Sequence, residues 1–151
     1  MLKTGGCHCR AVKFEVEFEE NPVVSECNCS ICSKSGYLHL IVPAENFHLV
    51  SGEESLTTYT FGTGVAKHHF CKVCGIKSFY VPRSNPNGLS VNFRCLDGAM
   101  NLKCSIKPFD GQNWERHAAE LKHLTEQTPW DILHIQVKPR GPKLLRGVGA
   151  R

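Results

Sequence analysis

The chain of 151 residues contains no run of apolar residues near the roughly 18 that a membrane-spanning helix requires. Hydrophobic residues make up 41% of the sequence, but polar and charged residues interrupt them. The sequence therefore predicts no membrane span. Its length fits one compact domain with a core of modest size.

The first residues, Met1 to Gly6, also lack the apolar core of a secretory signal and lead directly into Cys7. We therefore expect a reduced, cytoplasmic chain, with the nucleus as the alternative compartment. Disulfide-dense chains are mostly small secreted domains, so this expectation favours metal binding over a disulfide scaffold for the nine cysteines.

Acidic residues are missing from residues 138–151, a segment punctuated by Pro and Gly that holds five of the 18 Lys and Arg residues. The other 13 are set against 14 Asp and Glu in residues 1–137, which gives that part a net charge of −1. The sequence predicts a single domain over 1–137 and a disordered basic tail over 138–151. It predicts no nucleic-acid binding by the folded domain.

Seven of the nine cysteines lie in three tight clusters. The clusters are Cys7-x-Cys9, Cys27-x-Cys29-x-x-Cys32 and Cys71-x-x-Cys74-Gly75. Four thiolates make a closed, structural zinc site, whereas three leave one position for water or a substrate. The clusters therefore predict two zinc sites, one of them open. The third cluster looks like a zinc knuckle, and spacing alone does not decide whether the first pair or two of the middle triplet complete it.

Alternating apolar residues predict β-strands through most of the chain. Val12, Phe14, Val16 and Phe18 alternate with charged residues, which is the period of a half-buried strand. Further β-rich runs, separated by turn residues, are Leu38–Val42, Phe47–Val50, Leu56–Phe61, Val65–Phe70, Ile76–Val81 and Leu89–Phe93. Gly62-Thr63-Gly64 predicts a hairpin between two of them. The expected fold is all-β, with mainly antiparallel sheets.

One short C-terminal helix is predicted from Trp114, because Ala118, Leu121 and Leu124 recur at helical spacing. Asn113 is placed to cap its start. The residues Leu133, Ile135 and Val137 predict a last strand.

The order and spacing of the cysteine clusters resemble those of the glutathione-dependent formaldehyde-activating enzyme family. The segments that carry the likeness are Gly6–Val12, Cys27–Cys32 and Phe70–Gly75. Thr57–Phe61 and Tyr80–Pro86 look closest to the branch that contains the conserved domain of centromere protein V. The resemblance covers about residues 4–125 and implies a zinc-stabilised fold of packed antiparallel sheets.

The resemblance also implies two zinc ions per chain and a reaction. It places a structural zinc at Cys7, Cys9, Cys71 and Cys74 and a catalytic zinc at Cys27, Cys29 and Cys32. It implies glutathione or a similar thiol and a small aldehyde as substrates of a reversible carbon–sulfur lyase. Three thiolates give the zinc site a net charge of −1, which suits it to carry a substrate thiolate that attacks formaldehyde to give S-(hydroxymethyl)glutathione.

No residue is marked firmly as the proton donor. His39, His68 and His69 lie on predicted strands, where a histidine is more often a surface or hydrogen-bonded residue than a catalyst. The default expectation for each of the three is therefore a surface or structural role, and the proton donor stays open.

The segment from Leu89 to Asp97 holds the candidates for substrate binding. Asn92 and Arg94 are predicted to bind substrate, Arg94 as a bidentate clamp for a carboxylate, with Arg83 as a second candidate. Cys95 is either the fourth ligand of the catalytic zinc or a buried thiol.

Two functions from different classes follow from the sequence. The first is a zinc-dependent enzyme that forms or cleaves a thiol–aldehyde adduct. The alternative is a non-catalytic zinc module that binds a partner, as the likeness to centromere protein V suggests. A redox sensor that uses Cys29 and Cys32 is a third hypothesis. Zinc stoichiometry with and without glutathione would separate the first two.

Overall fold

The computed structural model describes residues 1–126. Within this range, ten strands and two short α-helices are present. The strands are β1 (Leu2–Gly6), β2 (Lys13–Glu17), β3 (Val23–Cys27), β4 (Leu38–Pro43), β5 (Phe47–Ser51), β6 (Leu56–Tyr59), β7 (Lys67–Cys71), β8 (Phe79–Val81), β9 (Gly88–Asn92) and β10 (Ser105–Phe109). The helices are α1 (Ser30–Ser35) and α2 (Trp114–His117), and a 3₁₀ helix (Ala118–Thr125) follows α2 directly.

The strands form two sheets. A three-stranded antiparallel sheet has the order β1-β2-β5, and a seven-stranded sheet has the order β10-β3-β4-β9-β8-β7-β6. Every pair in the large sheet is antiparallel except β10 with β3. The expected all-β fold of mainly antiparallel sheets is confirmed.

The core lies between the two sheets. Val12, Phe14 and Val16 are buried, as their alternation with charged residues predicts. Phe14 packs against Phe47 of its own sheet with 5.4 Å between ring centroids, and against Phe79 of the large sheet with 6.2 Å. Burial of Phe14 and of Phe79 contributes roughly 1.5–3 kcal/mol for each ring, and the half-buried Phe47 adds less, so this aromatic cluster holds the sheets together.

The hairpin predicted at Gly62-Thr63-Gly64 joins β6 and β7, which pair antiparallel. The turn is closed by a hydrogen bond from the Gly64 N–H to the Phe61 carbonyl oxygen at 3.0 Å. This hairpin forms the outer edge of the large sheet and brings Phe61 to one wall of the cavity described below.

Three strands and one helix were not predicted. β1, β3 and β10 have weak alternation, and tertiary pairing determines their conformation. β10 contains Pro108, which is tolerated because β10 is an edge strand. The helix α1 has six residues and begins within the middle cysteine cluster.

The C-terminal helix begins at Trp114 as predicted, but two details differ. Asn113 makes no capping bond, because its side chain donates to Asp110 Oδ2 at 2.7 Å. Only the first turn is α-helical. The 3₁₀ segment that follows is tied to the loop before β9, where Asn85 Nδ2 donates to the carbonyl oxygen of Leu121 at 2.9 Å.

The predicted strand at residues 133–137 and the predicted basic tail at 138–151 lie outside the described residues. Between residues 1 and 126, no helix has the length and apolar character needed to cross a membrane.

Candidate metal centres

Four thiols from two distant loops meet in what we call the four-thiol cluster. Cys7 and Cys9 follow β1, Cys71 ends β7, and Cys74 lies in the turn toward β8. All four Sγ atoms lie within 4.8 Å of one another. The Sγ atom of Cys9 is 3.6 Å from that of Cys7 and 3.7 Å from that of Cys71. A tetrahedron with Zn–S bonds of about 2.3 Å has edges of about 3.8 Å, so the cluster fits a zinc ion.

The turn from Cys71 to Gly75 has the features of the predicted knuckle. Gly75 adopts φ +74°, which a glycine reaches without strain, and its N–H donates to the Cys71 carbonyl oxygen at 2.7 Å. Burial would raise the pKa of the Cys74 thiol, but the N–H groups of Cys9 and Ile76 outweigh this and lower the pKa to about 6. The backbone thus already stabilises a thiolate there.

The second group is the thiol triplet of Cys27, Cys29 and Cys32. Cys27 ends β3, Cys29 is the N-cap of α1, and Cys32 lies in the first turn of that helix. Cys32 is buried, whereas Cys27 and Cys29 are half-buried. The short helix folds the Cys-x-Cys-x-x-Cys spacing back on itself, and the Cys29 N–H donates to Cys27 Sγ at 3.5 Å.

The pKa values of the triplet thiols are shifted in opposite directions. Hydrogen bonds from Cys27 and Cys32 lower the pKa of Cys29 far below that of a free thiol. Hydrogen bonds to Cys27 and Cys29, together with burial, raise the pKa of Cys32. These opposite shifts favour the thiolate on Cys29 and the neutral thiol on Cys32. A divalent cation would stabilise all three as thiolates.

Gly111, in the loop after β10, passes directly against the triplet. A Cβ atom at this position would overlap Cys27 Sγ and lie 2.9 Å from Cys29 Cβ. Only glycine fits here, and nothing in the local sequence indicates this close approach.

His39, which was expected to be an ordinary strand residue, lies beside the triplet. It is 5% exposed, and one of its ring nitrogens lies within 4.8 Å of the Sγ atoms of Cys27 and Cys32. Nδ1 contacts Ser90 Oγ at 3.1 Å and the Tyr80 hydroxyl at 3.3 Å. Nε2 is buried and has no hydrogen-bond partner among residues 1–126. Burial lowers the pKa of His39 to about 3, which keeps the ring neutral.

A cavity of about 460 Å³ opens over the triplet. This volume is in the usual range of roughly 300–1,000 Å³ for small-molecule sites. One wall is a stack of Phe61, His68 and Tyr80, with centroid separations of 5.4 Å and 4.8 Å. The lining includes Cys27, Cys29, Cys32, His39, Phe61, His68, Tyr80, Arg83, Phe109, Gly111, Trp114 and Leu121.

Arg83 is the arginine that lines this cavity. Its guanidinium lies 3.9 Å from the centroid of the Trp114 ring and 2.8 Å from Glu115 Oε1. Stacking and the ion pair both hold the planar group in place, so its remaining donors are oriented before any anion binds.

Asn92 and Arg94, the residues predicted to bind substrate, do not line the cavity. Asn92 is buried, and its side chain accepts from the Arg94 N–H at 3.2 Å and donates to the Lys77 carbonyl oxygen at 3.4 Å. Arg94 is exposed. Asn92 thus stabilises the end of β9, and the geometry gives neither residue a contact with a ligand in the cavity.

Cys95 is placed near the four-thiol cluster and not in the triplet. Burial raises the pKa of its thiol to about 11, and the negative charges of Cys7 and Cys74 add to the effect. It belongs to neither group of candidate ligands found among the described residues. The alternative expectation, a buried thiol, matches this environment better than a fourth ligand of the triplet.

Lys77 is a charged residue near the triplet that the sequence did not reveal. Its Nζ lies 4.7 Å from the centroid of the Tyr37 ring and 5.0 Å from that of Tyr80. Burial lowers its pKa, and negative charge on the sulfurs of the triplet acts in the opposite direction. A cation held over aromatic rings at this place partly balances the negative charge of the thiolates.

Comparisons with known proteins agree with this picture. A solved crystal structure of a Rhodobacter sphaeroides protein has a TM-score of 0.59 and 35% identity, and the match covers 69% of this chain and 99% of that protein. A Halomonas elongata protein, provisionally named a glutathione-dependent formaldehyde-activating enzyme, is 33% identical over 82 residues. That match covers 49% of this chain and 52% of the relative, so the chain spans about half the length of the curated relative.

The family model described as "Glutathione-dependent formaldehyde-activating enzyme" matches residues 2–112, which include both groups of thiols. The chain belongs to the glutathione-dependent formaldehyde-activating enzyme family.

Proposed function

We propose that the chain is a zinc-dependent carbon–sulfur lyase that forms or cleaves an adduct of a small aldehyde with glutathione or a related thiol. S-(hydroxymethyl)glutathione, the adduct with formaldehyde, is the first candidate. One observation carries the proposal, namely that the thiol triplet lines a cavity of about 460 Å³. The name of the family and that of the Halomonas elongata relative support the same general activity.

The donor sets fit two zinc ions. Thiolates are soft ligands that zinc binds tightly, and the four-thiol cluster has tetrahedral spacing. In the triplet, Cys27, Cys29 and Cys32 would hold the second ion and leave one position toward the cavity. A zinc ion bound there would supply a site at which a substrate thiol loses its proton.

The residues of the cavity would bind and orient the thiol substrate. Arg83 offers guanidinium donors to a carboxylate of a glutathione-like thiol, which would compete with Glu115 for them. The walls at Phe61 and Trp114 exclude water from the reacting sulfur. Lys77 lies close enough to the triplet to offset part of its negative charge.

The reaction needs no oxidant or reductant. The thiol releases its S–H proton, the sulfur forms a bond to the carbonyl carbon, and the carbonyl oxygen takes up a proton. Cleavage of the adduct is the same sequence in reverse. The role of the chain is to bring a deprotonated sulfur and the aldehyde together in a site where few other orientations are possible.

Formaldehyde consumption in the presence of glutathione tests the proposal. We expect a rate above the uncatalysed addition for the wild type, and its loss in Cys32→Ser. Cys104→Ser is the matched control, because Cys104 is half-buried and belongs to neither group of thiols. The uncatalysed rate must be subtracted, since thiols add to formaldehyde without a catalyst.

A rate equal to background, with a zinc environment that millimolar glutathione leaves unchanged, would contradict the enzyme proposal. The alternative hypothesis, a non-catalytic zinc module that binds a partner, would then be better supported. That alternative rests on the likeness of Thr57–Phe61 and Tyr80–Pro86 to the centromere protein V branch.

A further inference from the structure

The cavity holds a histidine nitrogen with no partner at the place where a fourth ligand would lie. His39 is nearly fully buried, and its Nδ1 is engaged by Ser90 and Tyr80. Nε2 is unpaired within the described chain, and one ring nitrogen of His39 lies within 4.8 Å of the Sγ atoms of Cys27 and Cys32. With Nδ1 engaged, Nε2 is the nitrogen that remains available to a ligand. Buried polar atoms normally have partners, so an orphaned nitrogen beside two thiols indicates a missing ligand.

The ring is held in the orientation that a metal ligand requires. Metal-binding histidines usually use their other ring nitrogen to contact a hydrogen-bonding group, which fixes the tautomer and the ring plane. Ser90 Oγ, at 3.1 Å from Nδ1, and the Tyr80 hydroxyl, at 3.3 Å, provide this support. Tyr37 packs on the ring with 4.6 Å between centroids, and its hydroxyl donates to the Ser90 carbonyl oxygen at 2.6 Å.

We propose that His39 Nε2 occupies the fourth position of the second metal site until a substrate thiolate takes it. The resting site would be Cys27, Cys29, Cys32 and His39, and the thiol would enter by replacing the imidazole. Three cysteines and one histidine are a common zinc ligand set. Zinc ligand atoms lie about 3.5–3.8 Å apart, and the ligand atoms of Cys27, Cys32 and His39 already lie within 4.8 Å of one another. Cys29 Sγ would have to move toward this group to complete the set.

Cys29 Sγ lies outside the compact group formed by Cys27, Cys32 and His39, although the Cys29 N–H donates to Cys27 Sγ at 3.5 Å. Cys27 and Cys32 would thus hold the ion both with His39 and with Cys29. This arrangement allows the imidazole to leave while three sulfurs still hold the ion. The inference rests on metal binding by the triplet, as proposed above, and not on turnover.

His68 provides the matched comparison. It lines the same cavity, and its Nε2 is also buried without a partner in residues 1–126. It stacks on Tyr80 with 4.8 Å between ring centroids, but it belongs to no group of candidate ligands among the described residues. Phenylalanine at either position keeps a ring of similar shape and removes both nitrogens.

The test is reconstitution of the full chain with Co²⁺, followed by absorption spectroscopy of wild type, His39→Phe and His68→Phe. The spectrum of the four-thiol cluster is common to all three proteins, so difference spectra isolate the second ion. We expect His39→Phe to shift the ligand-field bands of that ion and His68→Phe to leave them unchanged. In His39→Phe, glutathione displaces water and not imidazole. The glutathione concentration that half-saturates the site should therefore fall by about tenfold.

Identical spectra for wild type and His39→Phe, with two ions bound in each, would overturn the inference and leave the proposed function standing. A single ion bound by the wild type would contradict both. If His39→Phe does not fold, the wild type loaded with ¹¹³Cd²⁺ decides the question. Scalar coupling between cadmium and the ¹⁵N-labelled His39 ring supports the proposal, and its absence with two ions bound overturns it.

Discussion

The backbone at Gly111 passes close to Cys27 and Cys29 of the triplet, and this close approach leads to a sharp prediction. Gly111→Ala would push a Cβ atom into Cys27 Sγ and Cys29 Cβ. We expect the protein to remain folded and to lose the second zinc, falling from two ions per chain to one by metal analysis. Gln112→Ala, the next residue along, keeps its N–H bond to Asn28 and should retain both ions. Two ions in Gly111→Ala would contradict the assigned geometry.

The two arginines considered for substrate binding can be compared directly. Arg83→Ala should weaken glutathione binding by about 1–2 kcal/mol, the value for a charged hydrogen bond reduced for the partial exposure of this side chain. Arg94→Ala should leave the affinity unchanged, because Arg94 is exposed and does not line the cavity. Isothermal titration calorimetry measures both. A larger loss for Arg94→Ala than for Arg83→Ala would favour the original sequence-based assignment.

The cysteine clusters can be recognised in the sequence because the cysteines within each cluster are only one or two residues apart. The surroundings of His39 cannot be predicted in this way. It depends on the register of β3 and β4, in which Ser25 pairs with His39 and brings the imidazole near the end of β3 at Cys27. A single sequence does not reveal the register between strands, so it does not place His39 beside the triplet. A histidine on a strand is by default a surface or hydrogen-bonded residue.

Elements with strong period-two alternation were predicted, and those formed by tertiary contacts were not. β2 alternates cleanly, and residues such as Phe14 and Val16 are buried as expected. β1 contains Gly5 and Gly6, which are poor strand formers, yet it pairs along its whole length with β2. α1, with six residues, is shorter than a helix that would be stable by itself, so its packing among the thiols must support it.

The wall formed by the C-terminal helical segment depends on Asn85. This side chain is 1% exposed, and its Nδ2 donates to the Leu121 carbonyl oxygen and to Thr125 Oγ1, each at 2.9 Å. Asn85→Ala should lower the free energy of unfolding by about 2 kcal/mol, because it removes these bonds and leaves the partly buried Leu121 carbonyl without this donor. Urea denaturation measures the change.

Asn113→Ala is the control for this element, since Asn113 is exposed and its side chain donates to the half-buried Asp110 within its own loop. Its effect should stay within about 0.5 kcal/mol. Equal effects of the two substitutions would show that Asn85 does not fasten the 3₁₀ segment to the sheet.

The two groups of thiols differ in what they connect within the whole molecule. The triplet belongs to one region of the large sheet, because β3 and α1 are adjacent in sequence. The four-thiol cluster joins the loop after β1, in the small sheet, to the turn after β7, in the large one, and the contact between Cys9 and Cys71 spans 62 residues. A cross-link over such a distance restricts the unfolded chain far more than a local one.

Loss of the two ions should therefore have unequal consequences for folding. Cys74→Ser removes a ligand from the four-thiol cluster at a half-buried turn position, so little packing is lost with it. Structural zinc binding is folding free energy, and we expect this variant to lose solubility and cooperative unfolding. Cys29→Ser, also half-buried, should lose only the second ion and change the stability by less than about 1 kcal/mol. Zinc content and urea denaturation of both variants provide the comparison.

A Cys74→Ser protein that lacks one zinc ion but unfolds at the wild-type midpoint would refute the structural role of the four-thiol cluster.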